Sequence, residues 1–137
     1  MIYIVLNAIP ILLAAVAGLG VGALYHVLSA GRVVSTAPPM AANPVPLLAT
    51  VFVAEAWLAS ILAGALILAP PEAGEWTMAI GSAVVIWIGF VVPVLAVTAV
   101  YRATPLGAAT LDAMHWLAVM LVQAAVLQTI GLTPPPV

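Results

Sequence analysis

The chain has 137 residues, of which 66% are hydrophobic and 4% are charged. Water-soluble domains carry about 25% charged residues, so this composition excludes a soluble globular protein and predicts one embedded mainly in lipid. The formal net charge of −2 comes from few groups and no stretch is basic, which excludes an electrostatic surface for nucleic acid. The absence of cysteine excludes disulfides, a thiolate nucleophile and cysteine-ligated metals.

Proline and glycine divide the chain into four apolar runs. These runs predict transmembrane helices over residues 2–28, 46–69, 76–101 and 106–130. Each is long enough to cross a hydrocarbon core of about 30 Å at a rise of about 1.5 Å per residue. The sequence therefore predicts one all-α membrane domain, residues 1–137, with four transmembrane helices.

Two prolines mark expected features within these runs. Thr104 followed by Pro105 is typical of an N-cap and a first-turn proline, and predicts the start of the fourth helix. Pro93 removes the backbone hydrogen bond to the carbonyl of Gly89, so we expect the third helix to bend there.

Orientation depends on two arginines. Arg32 follows the first predicted helix and Arg102 follows the third, so an even number of crossings places them on the same side. The positive-inside tendency assigns that side to the cytoplasm. Both termini, with Glu72 and Glu75, are then expected on the opposite side.

The second and fourth predicted helices resemble each other. Pro46 and Trp57 recur as Pro105 and Trp116 at the same offset of 59 residues. The helices before them end in the related stretches "ALYH" and "AVYR". The pattern predicts an internal repeat of two parallel helical hairpins, with a shared alanine- and leucine-rich composition as the alternative.

Small residues recur every four positions on two of the helices. They are Ala14, Gly18 and Gly22 on the first, and Ala56, Ser60 and Gly64 on the second. Small side chains let helices approach closely in a membrane, where no hydrophobic effect drives them together. The stripes predict helix packing, either within the bundle or against another subunit.

Polar side chains lie deep in the second and fourth helices. Counted from the prolines that begin these helices, Glu55 and His115 are about 14 Å deep and Asp112 about 10 Å. Asp112 shares a helical face with His115 and Gln123. Because an acid at the centre of a membrane helix costs about 2.5–3.5 kcal/mol, such groups tend to face protein. We therefore expect a buried polar cluster of Glu55, Asp112, His115 and Gln123.

Three interpretations of this cluster stay open. In the first, the cluster is a polar network that fixes helix register. In the second, it is a proton or cation relay, and in the third it is a set of contacts to a partner subunit. Asn7, Gln123 and Gln128 are expected to form hydrogen bonds between helices rather than to bind a ligand.

The two histidines raise the question of a haem or pigment, because neutral imidazole is a common axial ligand. His26 lies near the end of its helix, about 9 Å from the level of His115, so the two are not expected to share one iron. His26 remains a candidate ligand for a single-histidine pigment site. A zinc site of Asp112, His115 and Glu55 lacks a recognised spacing, and we expect neither a metal nor a cofactor.

Tryptophans usually mark the membrane–water interface, and Trp76 fits that position. Trp57 and Trp116 are too deep for the interface, so they are expected to pack in the core, with a cavity lining as the alternative. The serines have no G-x-S-x-G context and no glycine-rich loop joins a strand to a helix. We therefore expect no enzymatic activity.

The stretch from residue 87 onward contains a "W-x-G-F" entry to the third helix, a short basic turn and a "D-A-x-H-x-L" opening of the fourth. This pattern resembles the small bacterial membrane proteins grouped as domain of unknown function 1761. The matching residues are Trp87, Gly89, Phe90, Arg102, Asp112, Ala113, His115 and Leu117. The first helix departs from that family's "G-x-L-W-Y", because it reads "GALYH". The resemblance implies a four-helix protein of the bacterial inner membrane, with periplasmic termini on the arginine argument, and implies no activity.

The expected function is that of a non-catalytic accessory or assembly subunit of a larger membrane complex. Nearly the whole chain is membrane-embedded, and its small-residue stripes suit helix docking. The partners would be lipid and other membrane subunits or further copies of the chain. The alternatives are a small homo-oligomeric transporter or proton-coupled carrier that uses Glu55, Asp112 and His115, and then pigment or haem binding.

Overall fold

The structure is a computed structural model that describes residues 2–29, 45–70, 72 and 74–136. Arg32, on which half of the orientation argument depends, lies outside the described residues. The described part is helical and contains no strand. Four helices are long and apolar enough to cross a membrane: Ala8–Leu28, Val45–Ile67, Glu75–Tyr101 and Leu106–Ile130. The predicted all-α, four-helix membrane fold is confirmed.

The first predicted helix is divided into two pieces, α1 (Ile2–Leu6) and α2 (Ala8–Ser29). Pro10 explains the division, because it has no backbone N–H to donate to the carbonyl of Leu6. The backbone bonds on either side persist: Asn7 N–H donates to the Tyr3 carbonyl and Ile11 N–H to the Asn7 carbonyl, both at 3.0 Å. The next helix, α3, follows as Val45–Ile67.

The third predicted helix contains a π-helical turn just before Pro93, a feature that the sequence did not predict. It consists of α4 (Glu75–Ile86), the π-helical turn Trp87–Val91 and α5 (Val92–Tyr101). The Val92 N–H donates to the Trp87 carbonyl, five residues back instead of four. The wider turn accommodates the proline, which cannot donate to the usual carbonyl.

The last helix, α6, spans Leu106–Ile130. Its N-cap is Pro105, with φ −56° and ψ 140°, and no side chain caps it. The prediction that Thr104 is the N-cap is therefore wrong. The turn before α6 places Ala103 at a φ of 51°, and Thr104 N–H is bonded to the Ala99 carbonyl at 2.9 Å, so Thr104 completes the turn after α5 instead.

Helix α6 lies at the centre of the bundle, in contact with α2, α3, α4 and α5. Helix α3 packs beside it and also contacts α2 and α4, so α2 and α4 lie on opposite sides of the α3–α6 pair. The core consists of small and medium apolar side chains from α2, α3, α4 and α6; its members include Ile11, Ala14, Ala59, Leu62, Ala63, Ala79, Ala83, Met120, Ala124 and Leu127. The third span is the most peripheral, with 6% of its most apolar window buried against 22–28% for the other three.

Candidate functional site

The most deeply buried acid forms a pair with a buried amide. Glu55 on α3 and Gln123 on α6 are exposed by 1% and 0%. The Gln123 Nε2 donates to Glu55 Oε2 at 3.2 Å and lies 3.3 Å from the Glu55 backbone carbonyl. A carboxyl group removed from water is tolerable in apolar surroundings only when it is hydrogen-bonded, and Gln123 supplies that bond. The pair joins the two central helices.

Gly18 of α2 makes room for this pair. A Cβ atom at position 18 would lie 1.6 Å from Glu55 Oε2 and 3.0 Å from Gln123 Nε2. Since non-bonded atoms do not approach so closely, any larger residue at position 18 would displace the Glu55 carboxyl group from its place against the α2 backbone. Glu55 is therefore enclosed by three helices at once.

A second polar group lies nearer the end of the bundle where α2 ends and α6 begins. The Tyr25 hydroxyl donates to Asp112 Oδ1 at 2.6 Å, and the Tyr25 ring stacks on His115 with centroids 4.4 Å apart. The buried Nε2 of His115 has no hydrogen-bond partner among the described residues. It faces α2 at Gly22, where a Cβ would lie 3.7 Å away.

The predicted cluster of four is thus divided into two. Asp112 and His115 belong with Tyr25, whereas Gln123 and Glu55 form a separate pair about two turns further along α6, roughly 12 Å at about 1.5 Å per residue. Counting depth from the proline at the start of each helix misled the prediction, because it assumed that α3 and α6 begin at one level. Glu55 lies ten residues after the start of α3, whereas its partner Gln123 lies 17 residues after the start of α6. Helix α6 therefore extends beyond α3 at the end of the bundle where both helices begin.

His26 is exposed at the end of α2, and its ring lies 5.5 Å from that of Tyr25. Tyr25 thus contacts both histidines, edge-on to His26 and stacked on His115. His115 Nε2 is buried and faces the α2 backbone at Gly22. Among the described residues, no three His, Asp or Glu side chains are close enough together to hold a metal ion.

The small-residue stripes lie against other parts of the same chain. Ala14 and Gly18 are buried in the bundle and Gly22 is partly covered. On α3, Ala56 is half-buried, and its carbonyl accepts a hydrogen bond from the Ser60 hydroxyl at 2.7 Å. The Tyr3 side chain packs against Gly64. Tyr3 donates to the Ser60 carbonyl at 3.2 Å, and its hydroxyl would lie 2.9 Å from a Cβ on Gly64.

The remaining polar residues connect separate elements at the opposite end of the bundle. The Asn7 side chain holds the segment after α6: its Nδ2 donates to the Thr133 carbonyl at 2.9 Å, and its Oδ1 accepts from the Thr133 N–H at 2.7 Å. Gln128 on α6 donates to Glu75 Oε2 at the start of α4, at 3.0 Å. Gln128 thus links two helices as expected, while Asn7 bonds to the non-helical segment after α6 and to the Tyr3 carbonyl of α1.

The prediction that Trp57 is a core residue is wrong, because 58% of this residue is exposed. Trp116 is half-buried, with its ring 5.5 Å from that of His115. The face of the helix that Trp57 occupies was not predictable, because lipid and core select equally apolar side chains. The tryptophan that does join helices is Trp87, whose Nε1 donates to the Ala113 carbonyl at 2.8 Å.

Two polar contacts escaped the sequence analysis entirely. Tyr25, the partner of Asp112, was considered only as part of the "ALYH" stretch. The sequence did hint at this contact. Tyr25 lies near the end of α2 and Asp112 near the start of α6, which meet at the same end of the bundle, and few other polar groups lie there. The contact of Tyr3 with Ser60 and Gly64 could not be expected, since nothing in the sequence around Tyr3 points to those residues.

Two cavities lie in the described part of the chain. One is an apolar groove of about 580 Å³ between α5 and the first half of α6, and the other lies at the end of α3 beside the segment after α6. Neither is lined by Glu55, Asp112 or His115. Comparison of the chain with protein-family models, with curated proteins and with solved structures finds no match.

Proposed function

We propose that the protein is a non-catalytic accessory or assembly subunit of a larger membrane complex, and that the face of α3 around Trp57 binds another subunit. The observation that carries this proposal is the position of Trp57. It lies twelve residues into a helix of 23, about 18 Å from the helix start at about 1.5 Å per residue. That is the middle of the span, where tryptophan is unusual on a lipid-facing surface.

The chemistry of the indole supports a protein partner. The Trp57 N–H has no acceptor among the described residues, whereas the N–H of Trp87 is bonded to a carbonyl. Hydrocarbon offers no acceptor, and leaving a polar N–H unpaired costs free energy. Val53 and Ile61, one turn before and after, are 66% and 46% exposed and continue the same face. Tryptophan is also among the residues that contribute most to protein interfaces.

A small homo-oligomeric transporter or proton-coupled carrier is the second candidate. The unpartnered Nε2 of His115 favours it, because an unsatisfied buried nitrogen is a common feature of functional sites. Against it, Glu55 is enclosed by Gly18 and bonded to Gln123, and neither cavity is lined by Glu55, Asp112 or His115. The subunit role is therefore preferred. Pigment or haem binding ranks third, because the α2 backbone covers His115 Nε2.

The proposal includes a location in the bacterial inner membrane with periplasmic termini. It is supported by the positions of Arg32 and Arg102 after odd-numbered spans, and by the resemblance to the bacterial family described above. An origin by duplication of a helical hairpin is part of the same proposal and is supported by the shared Pro and Trp register of α3 and α6. Since the chain has no cysteine, single cysteines at Glu72 and Arg102 labelled from either side of the membrane test the orientation directly. Labelling of Glu72→Cys from the cytoplasm would refute it.

Site-specific photo-crosslinking tests the subunit role. A photoreactive phenylalanine analogue replaces Trp57 in one sample and Phe90 in a control. Phe90 is also an exposed aromatic residue, 70% accessible, but it lies on the third span and needs no hydrogen bond. We expect position 57 to form one defined crosslink to a different membrane protein and position 90 to react only with lipid. A crosslink from position 57 to a second copy of this chain would instead favour the homo-oligomeric carrier, and reaction with lipid alone would refute both.

A further inference from the structure

We infer that the apolar groove between α5 and α6 is a binding site for one anionic phospholipid, with an acyl chain in the groove and the headgroup phosphate on Arg102. The groove has a volume of about 580 Å³, within the range of roughly 300–1,000 Å³ typical of ligand sites. It lies on the third and fourth spans, so it is separate from the α3 face that carries the proposed function.

The groove lies between α5 and α6 where both helices carry small side chains. Helix α5 has no buried residue, and it follows directly on the π-helical turn and Pro93. Ala99 on one wall and Ala109 and Ala113 on the other leave space between the two backbones, and Trp87 lies at the inner end. Trp87 is bonded to the Ala113 carbonyl, so a hydrogen bond joins the two sides of the groove at this end.

The dimensions fit one acyl chain. Along α5 the groove extends from Val92 to Ala103, about 16 Å at about 1.5 Å per residue. This is close to half of a hydrocarbon core of about 30 Å, so the groove covers a single leaflet. Its lining is overwhelmingly apolar, with threonine hydroxyls at Thr104 and Thr110 as its polar side-chain groups.

The charge at the outer end selects an anionic headgroup. Arg102 is the only Lys or Arg among the described residues, and it is exposed in the turn beside Ala103 and Thr104, which close that end of the groove. No Asp or Glu lines the groove. Basic groups beside a gap between membrane helices are a known arrangement for binding anionic headgroups, and arginine matches phosphate oxygens with two parallel hydrogen bonds.

Native mass spectrometry of the delipidated protein, titrated with phosphatidylglycerol or phosphatidylcholine of identical acyl chains, tests this inference. We expect one phosphatidylglycerol per chain to bind in preference to phosphatidylcholine. Arg102→Gln, a change in an exposed turn, should weaken phosphatidylglycerol binding about fivefold and leave phosphatidylcholine binding unchanged. Ala99→Phe, which fills the groove, should weaken both lipids.

The matched control is Val97→Phe, which adds a ring of the same size on the same helix but outside the groove, where Val97 is 56% exposed. This variant should bind lipid like the wild type. The inference is overturned if Arg102→Gln retains the full preference for phosphatidylglycerol, or if Ala99→Phe and Val97→Phe bind equally. A photo-crosslink from position 109 to a protein helix in native membranes would also overturn it, because the groove would then belong to a subunit interface.

Discussion

Replacement of Gly18 by alanine should destabilise the bundle by displacing the buried carboxyl group of Glu55. The new Cβ would lie 1.6 Å from Glu55 Oε2 and 2.8 Å from its Cδ, so the side chain must move. Movement breaks the bond from Gln123 Nε2, and hydrogen bonds between membrane helices contribute about 0.6 kcal/mol on average and at most about 1.7. Forcing a side chain out of a packed interior costs typically about 1–3 kcal/mol.

Gly20→Ala is the matched control, because nothing lies within 4 Å of a Cβ at that position two residues away on the same helix. Both substitutions gain the same helix propensity of roughly 0.5–1 kcal/mol, so the difference between them isolates the steric effect. We expect Gly18→Ala to be about 1–3 kcal/mol less stable than Gly20→Ala. The assay is unfolding of the detergent-solubilised protein by sodium dodecyl sulfate, followed by circular dichroism. Equal free energies of unfolding for the two variants would refute the packing argument.

Three further predictions concern hydrogen bonds that join separate elements. Tyr25→Phe keeps the ring stack on His115 but removes the bond to Asp112. A double-mutant cycle of unfolding free energies with Asp112→Asn should therefore give a coupling energy of about 0.6–1.7 kcal/mol between the two side chains. Additive effects would show that the bond contributes nothing. Asn7→Ala should accelerate hydrogen exchange of the Thr133 amide at least roughly tenfold by removing its acceptor, and an unchanged rate would mean that other contacts hold this segment. Trp87→Phe should lower the free energy of unfolding by about 0.6 kcal/mol through loss of one bond to a backbone carbonyl of α6; no loss would mean that water or lipid replaces the bond.

The number, order and limits of the spans were predictable because proline and glycine bound them. The fourth helix was predicted over 106–130 and is found as Leu106–Ile130. The second was predicted over 46–69 and is found as Val45–Ile67. The division of the first helix at Asn7 was not predicted, although Pro10 is its cause.

The inward direction of the polar side chains was also predictable, since Glu55 and Gln123 have no favourable place in lipid. Their pairing was not, because it depends on how far α6 is shifted along its axis relative to α3. The exposure of Trp57 was unpredictable for a different reason: a membrane bundle has apolar residues on every face, so hydrophobic periodicity carries little information about which face is buried. The bond between Asn7 and Thr133 joins residues 126 positions apart, and no local pattern indicates it.

Native mass spectrometry of the full chain, extracted gently from its own membrane, tests the proposed subunit role most directly. We expect an assembly of fixed stoichiometry that contains this chain and at least one different membrane protein. The same assembly should dissociate when Trp57 is replaced by alanine, while Phe90→Ala leaves it intact. A monomer or a homo-oligomer as the only species, unaffected by Trp57→Ala, would contradict the account.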